Sequence, residues 1–205
     1  MVNSLRIKNL EFKFYSLRGE EARPYFSSMA KLRIEIFRYY PYLYEGTESD
    51  ESLYLETYFK AKDSFILLVK YENNFVGMTS CIRASEEETN FQIPFNNIGL
   101  DPNQILYLGE SVLLEKFRGL GIGKMYFQER EKFGLSIGIQ QFAFCSVLLP
   151  ENHHLRPKDY QDLSNFWKLR GYFPREDLIT RYDWTDKGNT HKTTKLMQYW
   201  MKVVN

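Results

Sequence analysis

The chain has 205 residues, 43% hydrophobic and 26% charged, an ordinary globular composition that excludes a disordered or fibrous protein. Its 27 basic and 26 acidic residues nearly cancel, so no global charge draws it to nucleic acid or to an anionic membrane. The length suits one well-cored domain, and a single domain over residues 1–205 is expected.

In chain order, LEFKFYSL from Leu10 alternates apolar and polar residues and predicts a first strand. Tyr25, Phe26, Met29, Leu32, Ile36, Phe37 and Tyr40 then recur at helical spacing until Pro41 stops the helix. A shorter helix is expected over Glu51 to Lys60. SFILLVKYENNFVGMTSCIRA follows as two strands around an Asn73-Asn74 turn. EEETN leads through a loop at Pro94 to ILYLGESVLL, read as one strand, after which a glycine-rich stretch opens a helix carrying Ile122, Met125, Tyr126 and Phe133. QFAFCSVLL is nearly continuous in apolar residues, as a strand buried on both faces would be. Asp159 to Arg170 predicts a helix ended by Gly171, and LITRYDW and KTTKLMQYWMKVV a closing hairpin. This order implies an α/β fold, a mixed sheet with helices on its faces.

Cys81 and Cys145 sit in apolar runs without CxxC spacing, which predicts buried free thiols and a reducing, cytoplasmic setting. The charged residues spread through the first thirty positions do not form a signal peptide, and runs such as FILLV are too short to span a membrane. A protein without a membrane partner is expected.

From Phe117 to Phe127 the chain reads FRGLGIGKMYF, with glycine at 119, 121 and 123 between Arg118 and Lys124. Glycine gives up more backbone freedom on folding than any other residue, so three in alternation need a reason. A P-loop is excluded because Met125 follows Lys124, and the dinucleotide fingerprint needs G-x-G-x-x-G where this chain has G-x-G-x-G. What those motifs share does apply. A strand, a turn without Cβ atoms and free amides at a helix N-terminus favour a phosphate or pyrophosphate. Arg118 and Lys124 add positive charge, and Lys124 opposes the helix dipole unless an anion is present. A strand-to-helix turn that needs glycine only for its geometry is the competing explanation.

RGLGIG, Arg118 to Gly123, resembles the Q/R-x-x-G-x-G/A motif of the GNAT superfamily of acyl-CoA-dependent N-acetyltransferases. GESVLLEKF, just before it, is similar to that family's fourth strand, and NFWKLRGYF from Asn165 to its later helix and turn. The order of elements agrees across nearly the whole chain. The resemblance implies a GNAT-like fold, a central, mostly antiparallel mixed sheet flanked by helices on both faces. It implies that acetyl passes from acetyl-CoA to a primary amine, on a small molecule or a protein, by direct attack in a ternary complex without a metal. The amides and flanking charges of Arg118, Gly119, Leu120, Gly121, Ile122, Gly123 and Lys124 would then hold the CoA pyrophosphate, and backbone groups of Val112 and Leu114 the pantetheine arm. Many members carry a tyrosine where this chain has Trp167, which leaves the acid for the leaving thiolate unassigned. It also keeps open a non-catalytic module that binds acyl-CoA for regulation.

Strict alternation in LYLGESVLL puts Leu106, Leu108, Glu110, Val112 and Leu114 on one face, with Glu110 a lone carboxylate in an apolar stripe; a bulge at Gly109 would change that parity. Burial tunes such a group for proton transfer, and in the resembling family a glutamate on this strand removes the amine proton. A structural carboxylate bonded to backbone or to an arginine is the alternative. RYYPYLYEG, Arg38 to Gly46, places tyrosines beside a helix break where the resembling fold walls its acceptor cleft. Tyr42, Tyr44 and Glu45 could there meet a cationic amine, or pack on the sheet. His153 and His154 are neighbours without an HExxH motif or a cysteine partner and predict no metal; His154 is a candidate for touching the acceptor.

Overall fold

The computed structural model describes residues 1–204. One sheet runs through the chain, its strands ordered β1 (Val2–Ile7), β2 (Leu10–Leu17), β3 (Phe65–Tyr71), β4 (Asn74–Arg83), β5 (Ile105–Tyr107), β7 (Gln141–Val147), β9 (Lys192–Val203) and β8 (Phe173–Thr185), while β6 (Ser111–Leu113) pairs with β4. Every pairing is antiparallel except that of β5 with β7. The mixed, mostly antiparallel sheet expected from the sequence is therefore present.

Helices cover both faces. On one, α4 (Ile122–Ser136) sets Ile122, Tyr126, Phe127 and Phe133 against Leu106, Leu108, Phe142 and Phe144. On the other, α1 (Phe26–Phe37) and α2 (Glu48–Lys60) lay Met29, Leu32, Leu55 and Tyr58 over Ile66, Leu68, Met78 and Ile82. The helical spacing read for α1 is the spacing of this buried stripe. α2 begins three residues earlier than expected because Thr47 caps it: its side chain accepts from the Asp50 N–H, and the Asp50 carboxylate reaches back to the Thr47 N–H. The Tyr40–Pro41 peptide between the two helices is cis.

Three elements depart from the sequence reading. β1 precedes the expected first strand; its residues are exposed or nearly so, so they carry no apolar alternation, and only pairing with β2 orders them. α3 (Thr89–Asn97) occupies the expected Pro94 loop and joins the α1–α2 face, burying Phe91 and Phe95 one turn apart. Proline there removes the N–H that would bond Asn90 C=O, and the Thr180 hydroxyl supplies a donor to that carbonyl instead. The Tyr199 hydroxyl likewise donates to Phe91 C=O. Tertiary contacts thus complete a helix that local propensity disfavours. The helix expected over 159–170 shrinks to α5 (Ser164–Lys168), since Leu163 and Leu169 face solvent and give the longer segment no apolar stripe.

ILYLGESVLL is two strands rather than one. Leu108 N–H continues the ladder to β7 by bonding Ala143 C=O. Gly109 N–H then donates to Ser80 C=O while Ser80 N–H donates to Glu110 C=O, so two residues stand opposite one. This is a bulge at the position where the sequence allowed it. It turns Glu110 and Val112 to the α1–α2 face, although Leu106 and Leu108 face α4, so the strict alternation expected for these four residues is broken. Past the bulge the chain keeps its pairing to β4 and leaves β7, which opens a fork in the sheet.

A Cβ on Gly109 would lie 2.0 Å from Tyr58 Oη and 2.8 Å from Ser80 Oγ. Gly109→Ala must therefore push Tyr58 aside, and we expect a loss of about 1–3 kcal/mol of unfolding free energy in denaturant titration. Unchanged stability would mean that the bulge does not hold Tyr58 against the strand.

Candidate active site

The glycine turn closes the α4 end of the fork. Gly119 and Gly121 adopt φ of 73° and 87°, which a residue with a Cβ rarely does, and a Cβ on either would meet nothing within 4 Å. Gly123 needs no left-handed backbone, and a Cβ there would touch only Phe166, at 3.4 Å. Turn geometry thus accounts for two of the three glycines and leaves the third to be explained by what approaches from outside. Gly121 is the N-cap of α4; no side chain caps the helix and its first turn holds no acidic residue. Arg118 and Lys124 are exposed beside it, Arg118 donating to Leu113 C=O at 3.3 Å, whereas the Ile122 side chain is fully buried and offers only its amide. Such an end suits an anion.

The fork exposes one edge of β6. Leu114 N–H bonds Val76 C=O and Ser80 N–H bonds Glu110 C=O, so residues 110, 112 and 114 spend their backbone groups on β4. Val112 and Leu114, expected to pair with an extended ligand, therefore point the wrong way. The bulge shifts the parity, and the free edge belongs to Ser111 and Leu113.

Glu110 sits at the base of the fork, 4% exposed. It is not alone. Arg33, 8% exposed and reaching in from α1, donates through Nη1 to Glu110 Oε2 at 2.5 Å and through Nε to Glu51 Oε2 at 2.5 Å, while the Tyr54 hydroxyl lies 2.8 Å from Glu110 Oε2. The arginine-bonded arrangement named as the alternative is thus the one present, and it leaves Glu110 Oε1 and Glu51 Oε1 buried without a hydrogen-bond partner. Burial opposes the charge on Arg33, and Glu110 and Glu51 overcome it and hold its pKa well above the ordinary value. Burial pushes Glu51 upward and Arg33 offsets only part of that. One cation faces two carboxylates, so the pocket favours a second cation or a shared proton.

The remaining candidates divide. The Tyr42 ring packs on Phe37 at 4.6 Å and its carbonyl accepts from Trp184 Nε1; burial raises its hydroxyl, and it serves the core. Tyr44 faces the cluster: burial first, and then the Glu51 carboxylate, raise its hydroxyl. Glu45 pairs with Arg38 at 3.0 Å. Its N–H bonds Thr185 C=O and Lys187 N–H bonds Leu43 C=O, which ties this connection to the β8–β9 turn. His154 is exposed and stacks on His153, which lies 5.8 Å from the Tyr40 ring, so the histidine loop meets the tyrosine loop. Trp167 packs between Phe144 and Trp200, and the buried Tyr172 donates to Glu131. Trp167 thus packs on Phe144, the first β7 residue past its pairing with β5.

Sequence reasoning passed over Arg33, Glu51, Tyr54, Tyr58 and Glu87. A signal existed for four of them. Arg33 falls with Met29, Leu32 and Ile36 on the buried stripe of α1, and Glu51, Tyr54 and Tyr58 share one face of α2 at three- and four-residue spacing. Among the described residues, no three His, Cys, Asp or Glu side chains cluster as a metal would need, no helix is long and apolar enough to cross a membrane, and Cys81 and Cys145 are free and buried.

Similar folds are known. The chain superposes with a TM-score of 0.60 on a protein of Acinetobacter baylyi ADP1, at 10% identity over 98% of this chain and 93% of that one. An acetyltransferase of the GNAT family from Listeria monocytogenes 4b F2365 gives 0.58 at 13% identity, over 98% and 100% of the two chains. An acetyltransferase from Streptococcus agalactiae 2603 gives 0.57 at 13% identity, over 93% and 98%. At these identities the likeness is one of fold. No curated protein matches the chain. The Acetyltransferase (GNAT) family matches residues 28–157. Because that match runs through more than half of the chain and takes in both the bulge and the glycine turn, the chain belongs to the GNAT family of acetyltransferases.

Proposed function

We propose that the protein transfers acetyl from acetyl-CoA to a primary amine by direct attack in a ternary complex, with Glu110 as the base. The observation that carries this is the unpartnered, buried Oε1 of Glu110 at the base of the fork. Its other oxygen is fixed by Arg33 and Tyr54, so the carboxylate is oriented and keeps one acceptor free. The turn of Arg118, Gly119, Leu120, Gly121, Ile122, Gly123 and Lys124 fits a pyrophosphate on its uncapped amides. The free edge of Ser111 and Leu113 suits the amide-bearing pantetheine arm as a strand-like partner. The thioester supplies the acyl group. Glu110 takes the proton of the attacking nitrogen, and solvent protonates the departing thiolate. Tyr44 and the excess negative charge of Glu51 and Glu110 favour an acceptor that arrives as a cation. Glu45 and His154 would rim the approach, whereas Tyr42 packs on Phe37 and Trp184 in the core.

Thiol release from acetyl-CoA across a panel of polyamines, amino sugars, amino acids and lysine peptides tests the activity; binding of acetyl-CoA without acceptor-stimulated release would turn the reading toward a regulatory module. In calorimetry, Gly121→Val should weaken acetyl-CoA binding at least tenfold in a folded protein, because it strains a left-handed residue and places carbon where the phosphate must come. An unchanged Kd would remove the phosphate reading of the turn.

Glu110→Gln keeps the shape but cannot take a proton. We expect turnover to fall about 100-fold or more with acetyl-CoA affinity nearly kept. Full turnover in that variant would make Glu110 a purely structural partner of Arg33. Tyr44→Phe should raise the acceptor KM roughly 2- to 10-fold, the worth of one neutral hydrogen bond, and leave the acetyl-CoA Kd alone. An unaltered KM would assign Tyr44 to packing.

A further inference from the structure

Glu110 is one end of a line of four side chains. Its Oε2 lies 2.8 Å from Tyr54 Oη, Tyr54 Oη lies 2.9 Å from Tyr58 Oη, and Tyr58 Oη lies 2.8 Å from Glu87 Oε1. The two tyrosines are one turn apart on α2, and Glu87 follows the short 3-10 turn that precedes α3. Glu110, Tyr58 and Glu87 are all buried.

Protons can be counted along it. Three oxygen-to-oxygen contacts need three protons, and the two hydroxyls supply two. With both carboxylates ionised the line is one proton short. With one carboxyl protonated every contact is satisfied, and a concerted shift of all three protons moves the extra one from either end to the other. The ends differ. Glu110 faces the Arg33 guanidinium, whereas Glu87 is held by the Tyr58 hydroxyl and the Glu88 N–H and forms no ion pair among the described residues. The groups within electrostatic reach of Glu87 include Glu88 on its own turn, Tyr107 on β5, Cys145 on β7, Tyr182 on β8, Tyr199 on β9 and Glu110 across the bulge, while Lys192 on β9 acts on the adjoining Glu88 and Arg33 on Tyr182.

We propose that Glu110, Tyr54, Tyr58 and Glu87 form a single proton-storing line in which Glu87 is the remote seat for the proton that Glu110 collects. Burial pushes Glu87 up to about 7, against which the Tyr58 hydroxyl works, so the seat can fill and empty near neutral pH. The role in turnover rests on the acetyl-transfer reading above; the storage does not. In turnover the amine N–H bond breaks as an O–H bond forms on Glu110 Oε1, and the carboxyl then turns, exchanging the oxygen that Arg33 holds, to present the proton to Tyr54 Oη. That proton passes to Tyr54, the proton of Tyr54 to Tyr58, and that of Tyr58 to Glu87 Oε1. Each oxygen between the ends gains one proton and loses one, so neither tyrosine is left ionised. The nitrogen is freed of its proton, and Glu110 is an ionised carboxylate again. Below the midpoint of Glu87 the seat is full and the line accepts nothing.

The test uses the free protein, without acetyl-CoA or amine, so its failure is separate from failure of the acetyltransferase reading. Infrared pH-difference spectra of protein labelled with carboxyl-13C glutamate should show a carboxylic-acid C=O band that titrates with a midpoint of about 7 and vanishes in Glu87→Gln. Glu110→Gln should lower that midpoint, and the drop should shrink in a Tyr54→Phe background, where the line is cut. If Glu110→Gln does not fold, Tyr54→Phe alone must move the midpoint. No glutamate band titrating near neutral pH, or a midpoint indifferent to both Glu110→Gln and Tyr54→Phe, overturns the proposal and leaves Glu87 an isolated buried acid.

Discussion

Two consecutive residues, Gly109 and Glu110, stand opposite the single residue Ser80, and the site is built on that mismatch. Without it Glu110 would face α4, among Leu106, Leu108 and Phe133 and on the side of the buried Arg130, away from Arg33 and Tyr54. With it the carboxylate turns to α1 and α2, where Arg33 and Tyr54 meet it, and the strand peels away from β7 at the same step. One inserted residue therefore does three things: it aims a carboxylate, opens a fork and chooses which amides line it. Glycine stands at the first of the two positions, where a Cβ would meet the Tyr58 hydroxyl and displace it.

The bulge alone would bury a bare charge, and that is where Arg33 matters. Its guanidinium joins α1 to α2 through Glu51 and to the strand through Glu110, so the helical layer and the sheet are cross-linked at Glu110. Buried ion pairs add little net stability, yet removing one partner costs about 3–5 kcal/mol because the other is left uncompensated. The arrangement is better understood as fixing position. It commits one oxygen of Glu110 and frees the other, and it leaves the pocket one positive charge short.

The sequence disclosed what depends on local pattern. The apolar stripe of α1, the hairpins, the glycine turn and Glu110 itself could all be read because periodicity and glycine spacing are properties of short segments. What it hid depends on contacts made across the fold. α3 forms because Thr180, ninety residues away, supplies a donor that Pro94 denies to Asn90. β1 has no signal because it is ordered by pairing and not by burial. The resemblance points to the backbone of Val112 and Leu114 as the partner of an extended ligand, but the bulge reverses every later position along the strand and leaves Ser111 and Leu113 on the open edge. Arg33 and Glu51 were legible as charges on a buried stripe; the meeting of the two was not.

The connection between α1 and α2, which carries Tyr44, is stitched by backbone hydrogen bonds to the turn between the last two strands. A wall contributed early in the chain thus takes its position from the end of the chain. Divergence in the length or sequence of that terminal hairpin turn would reshape the connection that carries Tyr44 while leaving the glycine turn and Glu110 untouched. In the function proposed above, the choice of acceptor and the chemistry would then be inherited from separate parts of the polypeptide and could drift independently.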